Sequence, residues 1–190
     1  MASPSVPPTR HAGLVILLHW LTLLLIAAGT ALAWIADDIE DRGLRRLLIE
    51  NHRAIGLTVL ALTLLRLLAA LAMRRPAPVE GPALSRIGAR VTHLALYGLL
   101  IAAPVAGWWL TSAAGKPASW FGLLVLPALA DRDRDLADTL HDWHEVLTEA
   151  LLVLIALHAL AALWHHAVRR DGTLHRMLPA RFTAHRGERP

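Results

Sequence analysis

The chain has 190 residues, of which 55% are hydrophobic and 18% are charged, and its formal net charge is +4. It contains no cysteine, which excludes disulfide bonds, thiolate zinc sites and cysteine-ligated iron–sulfur clusters. The apolar residues are concentrated in long runs, a distribution typical of a membrane protein. Eleven histidines are many for such a chain, and their positions carry most of the functional information.

Four apolar stretches are each long enough to cross a bilayer, which requires about 20 residues in a helix. They cover residues 14–36, 52–73, 91–112 and 144–168. The first is longer than the apolar part of a typical signal peptide, so we expect it to be retained. Because the stretches lack the alternation of barrel strands, the sequence predicts an all-α membrane protein, a four-helix transmembrane bundle that forms a single domain over residues 1–190.

The arginines predict the orientation of this bundle, because positive residues accumulate on the cytoplasmic side of a membrane. Ten arginines lie either between the second and third stretches or in the tail after the fourth stretch: Arg74, Arg75, Arg86, Arg90, Arg169, Arg170, Arg176, Arg181, Arg186 and Arg189. The other two links mix both signs of charge. We therefore expect a bacterial inner-membrane protein with both termini in the cytoplasm. Residues 169–190 should form a basic, frayed or membrane-surface tail, too sparsely charged for nucleic acid.

A fifth apolar stretch, SWFGLLVLPALA, lies between the third and fourth spans and is too short to cross a bilayer. Its Trp120, Phe121 and Pro127 are residues that favour the membrane–water boundary. The sequence therefore predicts a short interfacial segment between helices 3 and 4, lying over the mouth of the bundle.

Histidines inside apolar spans indicate function, because ionisable residues are costly within a membrane. His19 and His158 lie at cytoplasmic depth, whereas His52 and His144 lie at the periplasmic starts of their spans. His144 and His158 are 14 residues apart, which places them on one helix face with a separation of about 21 Å. Matching by depth pairs His19 with His158 and His52 with His144, at two levels between facing helices.

Two stacked pairs of imidazoles suit two planar macrocycles with axial ligands, that is, two haem b groups. Zinc requires further donors that the spans do not offer, and the absence of a C-x-x-C-H motif excludes covalent haem attachment. Haem propionates need cationic partners, for which Arg66 and Arg53 are the candidates. Gly56, one turn after His52, leaves room for a ring against the backbone.

Two further histidines compete for the ligand positions. His93 opens the third span on the cytoplasmic side and competes with His19, and His141 precedes His144 by one turn. An ordinary hydrogen bond between helices, or an interfacial position, would also explain any one of these histidines.

His165 and His166 lie near the cytoplasmic end of the last span. They are candidates for hydrogen bonding a quinone head group or for moving protons. Histidines that extend from the interface toward water provide an equally good explanation.

With these residues in place, the chain resembles the bacterial cytochrome b561 family, four-helix membrane haemoproteins related to the cytochrome b subunits of nickel hydrogenases. The resemblance extends from about residue 10 to residue 179. The matching segments are LLHW with His19, ENHRAIG with His52, LRLL with Arg66, THLALYGLLIAAPVAG, WFGLLVLP, DWHEVL with His144, ALHALAALWHH with His158, and DGTLHRMLP. The resemblance implies two b haems on the same four histidines, electron transfer at the inner membrane and quinone as a partner.

Some members of this family are superoxide:ubiquinone oxidoreductases, and the resemblance implies this activity as the leading function, with Lys116 in the periplasmic link attracting the superoxide anion. One alternative is the membrane anchor and electron conduit of a dehydrogenase or hydrogenase complex, with other redox proteins as partners. A non-redox proton or metal transporter is a lesser alternative. Transporters usually carry carboxylates within spans or repeated halves, and here Glu149 is the main carboxylate within a span.

Overall fold

Four long helices make up most of the structure, a computed structural model that describes residues 12–72 and 83–178. They are α1 (Gly13–Asp37), α2 (Arg42–Ala72), α3 (Ala83–Ala113) and α4 (Arg134–Trp164). Each is long and apolar enough to cross a membrane. α1 packs against α2, α3 packs against α4, and α2 also contacts α3. The predicted all-α, four-helix membrane bundle is confirmed.

Three helices begin well before the spans predicted from hydropathy. α2 and α4 each start ten residues ahead of the histidine that opens the predicted span, so His52 and His144 lie inside their helices. The additional turns are charged but strongly helix-forming, and hydropathy detects only apolar turns. Aspartates precede both starts: Asp133 accepts a hydrogen bond from the Leu136 amide at 3.1 Å before α4, and Asp41 accepts one from the Leu44 amide at 2.7 Å before α2. Residues 74 and 75 and the tail beyond Leu178, used above for orientation, lie outside the described residues.

A small apolar core lies where α2, α3 and α4 meet, formed by Val59, Leu96, Leu100 and Leu151. Many large apolar side chains elsewhere on the helices face outward, among them Leu71 (70% exposed) and Leu94 (75% exposed). Water would oppose so much exposed apolar surface, whereas lipid tails accommodate it. The distribution of apolar residues is therefore that of a bundle surrounded by lipid.

The predicted interfacial segment forms a β-hairpin. β1 (Ala118–Trp120) pairs in antiparallel fashion with β2 (Leu124–Leu126). The turn between them has positive φ at Phe121 (48°) and Gly122 (75°), the geometry of a tight hairpin turn. Trp120 Nε1 donates a hydrogen bond to Thr58 Oγ1 at 3.0 Å, which holds the hairpin against α2.

The chain after α4 folds back toward α1. One π-helical turn, His165–Arg169, is followed by positive φ at Arg170 (51°) and Gly172 (75°), and then by a 3₁₀ turn at Leu174–Met177. Trp20 Nε1 of α1 donates a hydrogen bond to the Met177 carbonyl at 2.8 Å. Of the two expectations for the tail, frayed or lying at the membrane surface, the fold of residues 169–178 thus fits the second better, because this hydrogen bond holds the segment against α1.

Candidate functional site

Two pairs of histidine rings face each other inside the bundle, one toward each end. At the hairpin end, near β1 and β2, the ring centres of His52 and His144 are 6.0 Å apart. At the tail end, near residues 165–178, the ring centres of His19 and His158 are 6.4 Å apart. The structure thus brings together the two pairs that depth and helical spacing predict.

Both separations fit two imidazoles that bind one metal ion from opposite sides. An imidazole nitrogen binds a metal at about 2 Å and its ring centre lies about 1 Å behind it, so two axial rings have centres about 6 Å apart. Within residues 12–72 and 83–178, no group of three or more His, Cys, Asp or Glu side chains is placed to hold a metal ion. The arrangement therefore suits a macrocycle that supplies the remaining ligands itself.

Backbone carbonyls orient both rings at the hairpin end. His52 Nδ1 lies 2.8 Å from the Gly29 carbonyl oxygen, and His144 Nδ1 lies 2.9 Å from the Ala103 carbonyl oxygen. When Nδ1 donates to a carbonyl, Nε2 keeps its lone pair for a metal, as is usual for metal-binding histidines. Sequence reasoning missed these carbonyls, because any residue type can supply one.

Two glycines let the helices approach these rings. A Cβ on Gly107 would lie 3.0 Å from His144 Cε1, and a Cβ on Gly29 would lie 3.9 Å from His52 Nδ1 and 3.1 Å from a side-chain carbon of Ile55. Gly56, which was expected to make room for a ring, has no atom within 4 Å of its Cβ position. The side of α2 at Gly56 is thus open enough for a flat group.

His93 is a second neighbour of His158 at the tail end. Their ring centres are 5.3 Å apart, and His93 Nδ1 lies 2.6 Å from the Ala89 carbonyl oxygen. This separation is shorter than the spacing of about 6 Å that two axial ligands require, which the His19–His158 pair meets. His93 is also exposed, whereas His19 is half-buried. The geometry therefore favours His19 as the partner of His158.

Arg66 is a half-buried cation at the tail end. Its guanidinium carbon lies 5.4 Å from the centre of the Tyr97 ring, and its Nε is buried without a hydrogen-bond partner in the described parts of the chain. An unsatisfied guanidinium N–H inside an apolar bundle is costly. A carboxylate on a bound group, such as a haem propionate, would satisfy it.

A cationic cleft of about 990 Å³ opens at the hairpin end, between the start of α2 and the hairpin. Its charged lining residues are Arg42, Arg45, Arg46, Arg53, Lys116 and Glu50. Because this lining holds five cations and one carboxylate, the cleft has an excess of positive charge even though Arg46 pairs with Glu50 at 2.7 Å. Lys116 and Arg53, both predicted as site residues, thus lie in one cleft.

His165 and His166 lie in separate contacts at the tail end. His165 Nδ1 is 2.5 Å from Asp171 Oδ2, whereas the His166 ring centre is 5.1 Å from that of His175. Asp171 Oδ1 accepts hydrogen bonds from the Thr173 amide at 3.1 Å and the Thr173 hydroxyl at 2.6 Å. The sequence signal for this cluster is the DGT segment that follows His165 and His166. Sequence reasoning treated this segment only as part of the family motif.

Residues 171–178 should keep their fold from neutral pH down to about pH 4 and lose it below. Burial disfavours the charged Asp171 carboxylate, but hydrogen bonds from Thr173 and His165 outweigh burial and lower its pKa from 3.8 to about 2. A carboxylate whose pKa is lower in the folded state than in the unfolded state stabilises the fold fully at pH values above its unfolded-state pKa. This contribution disappears as the pH falls through the folded-state pKa. Hydrogen exchange of these amides between pH 7 and pH 2 measures the transition. An Asp171→Asn control should show no such transition, and opening of the wild type already at pH 6 would contradict the prediction.

Comparison with known proteins agrees with the motifs of the sequence. The family model described as prokaryotic cytochrome b561 matches residues 10–180. Cytochrome b561 homolog 2 of Escherichia coli (strain K12) is 34% identical over 176 residues, which cover 90% of this chain and 92% of that protein. The probable superoxide oxidase CybB of Yersinia pestis is 36% identical over 176 residues, with coverage of 90% and 96%. Cytochrome b561 homolog 1 of Escherichia coli (strain K12) is 33% identical over 177 residues, with coverage of 90% and 98%.

The family match covers nearly the whole described bundle, including both histidine pairs and the folded tail. The resemblance inferred from the motifs is confirmed. The chain belongs to the prokaryotic cytochrome b561 family, and it is a multi-pass bacterial membrane protein that transfers electrons with b-type haem.

Proposed function

We propose that this protein is a superoxide:ubiquinone oxidoreductase with two b haems. His52 and His144 would hold one haem, and His19 and His158 would hold the other. The ring separations of 6.0 and 6.4 Å support this assignment. When bound, haem would supply reversible one-electron chemistry, and each histidine pair would hold it from both sides.

The protein's own groups prepare both haem positions. The Gly29 and Ala103 carbonyls hold His52 and His144 with Nε2 available for iron. At the tail end, the buried guanidinium of Arg66 offers an N–H to a propionate. Arg53 serves the hairpin-end haem in the same way, because it directly follows His52.

The cationic cleft is the observation that carries the choice of superoxide. Superoxide is a small anion, and a cleft with an excess of positive charge concentrates anions and raises their association rate. Arg53 lines the cleft and directly follows His52 in α2, so the cleft lies at the same end of the bundle as the His52–His144 pair. The arginine distribution favours a periplasmic position for this end, which is where we expect superoxide to arrive.

The tail end is the proposed site of quinone reduction. His165 directly follows α4, seven residues beyond His158 and about 10 Å further along the helix axis. Two superoxide anions lose one electron each and leave as two molecules of oxygen. One ubiquinone takes up these two electrons and two protons and becomes ubiquinol.

Superoxide should reduce the haems of the purified protein within milliseconds, and added ubiquinone should sustain turnover. Stopped-flow absorbance under a superoxide pulse measures both events. Lys116→Glu should lower the second-order rate constant about 3- to 10-fold at low ionic strength, and salt should diminish the difference because it screens exposed charges.

Arg86→Glu is the matched control, an exposed charge reversal on the first turns of α3, away from the cleft. It should leave the rate constant within about twofold, because screening limits the reach of an exposed charge to about 10 Å. Haems that superoxide does not reduce would refute the proposed oxidase. Such an outcome would favour the alternative function of an electron conduit for a dehydrogenase or hydrogenase.

A further inference from the structure

A hydrogen-bonded pair at the tail end, His165 and Asp171, lies outside the four histidines proposed to hold haem. The His165 and Asp171 side chains are 25% and 15% exposed, so water reaches the pair without surrounding it. Nδ1 of His165 lies 2.5 Å from Asp171 Oδ2. The pair is therefore partly open to solvent, as a group that exchanges protons with water must be.

The backbone makes an unusual turn to form this pair. α4 leaves the regular helix in one π-helical turn at His165–Arg169, and π turns occur frequently at functional sites. Positive φ at Arg170 (51°) and at Gly172 (75°) then reverses the chain, so that Asp171 returns to the ring six residues before it. Arg170 adopts a conformation that non-glycine residues rarely take.

The two oxygens of Asp171 have different partners. Oδ1 accepts both hydrogen bonds from Thr173, which is sufficient to hold the local turn. Oδ2 is directed to His165, with Arg169 Nε more distant at 3.9 Å. A turn alone would not need this second contact, so the contact with His165 calls for a separate explanation.

The pair is also tied to the tail-end haem position. The Trp20 indole donates to the Met177 carbonyl, and its ring centre lies 5.4 Å from that of His19. The segment that carries Asp171 is thus held next to His19, one of the proposed haem ligands. His166 and His175 contact each other and form the other titratable contact of this segment.

We infer that Asp171 is a positioning residue. Its carboxylate accepts a hydrogen bond from His165 Nδ1–H, and this orients His165 so that its Nε2 donates protons to the quinone at the tail end. This inference rests on the proposed quinone reduction. For each electron that the quinone accepts, the N–H bond at Nε2 breaks and an O–H bond forms on the quinone. Water on the tail-end side returns the proton to Nε2, and two such transfers complete one quinol.

The test begins with protein reduced by dithionite, then mixed with a short-chain ubiquinone, which removes any dependence on superoxide. Asp171→Asn should lower the maximal rate of haem reoxidation about 10- to 100-fold, with the quinone concentration for half-maximal rate changed less than threefold. Asp138→Asn, an exposed carboxylate on the first turns of α4, is the matched control and should leave the rate unchanged. A wild-type rate in Asp171→Asn would overturn the inference alone. Failure of quinone to reoxidise even the wild type would overturn the proposed function with it.

Two further readouts separate proton transfer from a folding defect. Nitrogen-15 NMR of the histidine rings should show His165 protonated at Nδ1 in the wild type and a changed tautomer balance in Asp171→Asn. His165→Ala should lose quinone-dependent reoxidation with its haem spectrum intact, and added imidazole should restore at least a tenth of the wild-type rate. An unchanged tautomer, or a defect that imidazole does not relieve, would contradict the proposed role.

Discussion

Replacing His158 by alanine is expected to remove one haem from the protein and leave the other in place. The side chain would supply half of the histidine ligation at the tail end, so its loss would leave His19 there without its partner. His52 and His144 should keep their haem, because they lie at the other end of the bundle with their own carbonyl partners. The measurement is the haem-to-protein ratio, together with reduced-minus-oxidised spectra.

His141→Ala is the matched control, since His141 is an exposed histidine on the same helix. It should retain the full haem content. Two haems per chain in His158→Ala would refute the ligand assignment. A parallel comparison of His19→Ala with His93→Ala identifies the partner of His158, and we expect the loss of haem only in His19→Ala because its ring separation of 6.4 Å fits axial ligation.

Adding one methyl group at Gly107 is expected to disturb the hairpin-end haem. A Cβ there would lie 3.0 Å from Cε1 and 3.2 Å from Nδ1 of His144, while the Ala103 carbonyl keeps the ring from moving aside. Such overpacking costs about 1–3 kcal/mol, enough to weaken the histidine–iron bond or to change the haem potential. Redox titration and haem content of Gly107→Ala should therefore show one altered centre.

Gly98→Ala is the control for this substitution. Gly98 lies on the same helix α3, and no atom approaches within 4 Å of its Cβ position. The control shares any general effect of replacing a helical glycine, so a difference between the two variants reports on the His144 contact. Identical haem content and potentials in both variants would show that His144 does not hold a haem in the position proposed.

Membership of a haem-binding electron-transfer family disfavours the non-redox transporter among the alternatives. It leaves the choice between superoxide oxidase and electron conduit to experiment. The cleft bears on this choice, because a conduit buried against a partner has no need of a cationic cleft.

Hydropathy and spacing were sufficient to predict the four spans and the two histidine pairs. Lipid requires long apolar helices, and a helix repeats every 3.6 residues, so depth and facing direction can be calculated along one element. For the same reason, His144 and His158 could be assigned to one face of α4 before any contact was known. The helical turns before His52 and His144 escaped prediction because they lie in charged sequence.

The contacts that depend on how the helices are rotated against each other emerged only in the tertiary structure. The Gly29 and Ala103 carbonyls, the closeness of His93 to His158, and the arginines that join Lys116 in the cleft all involve residues distant in sequence. The turn that returns Asp171 to His165 is local, yet it depends on a π turn and a left-handed arginine that composition does not signal. Periodicity along one helix therefore determined which residues share a depth, and packing between helices decided which atoms they contact.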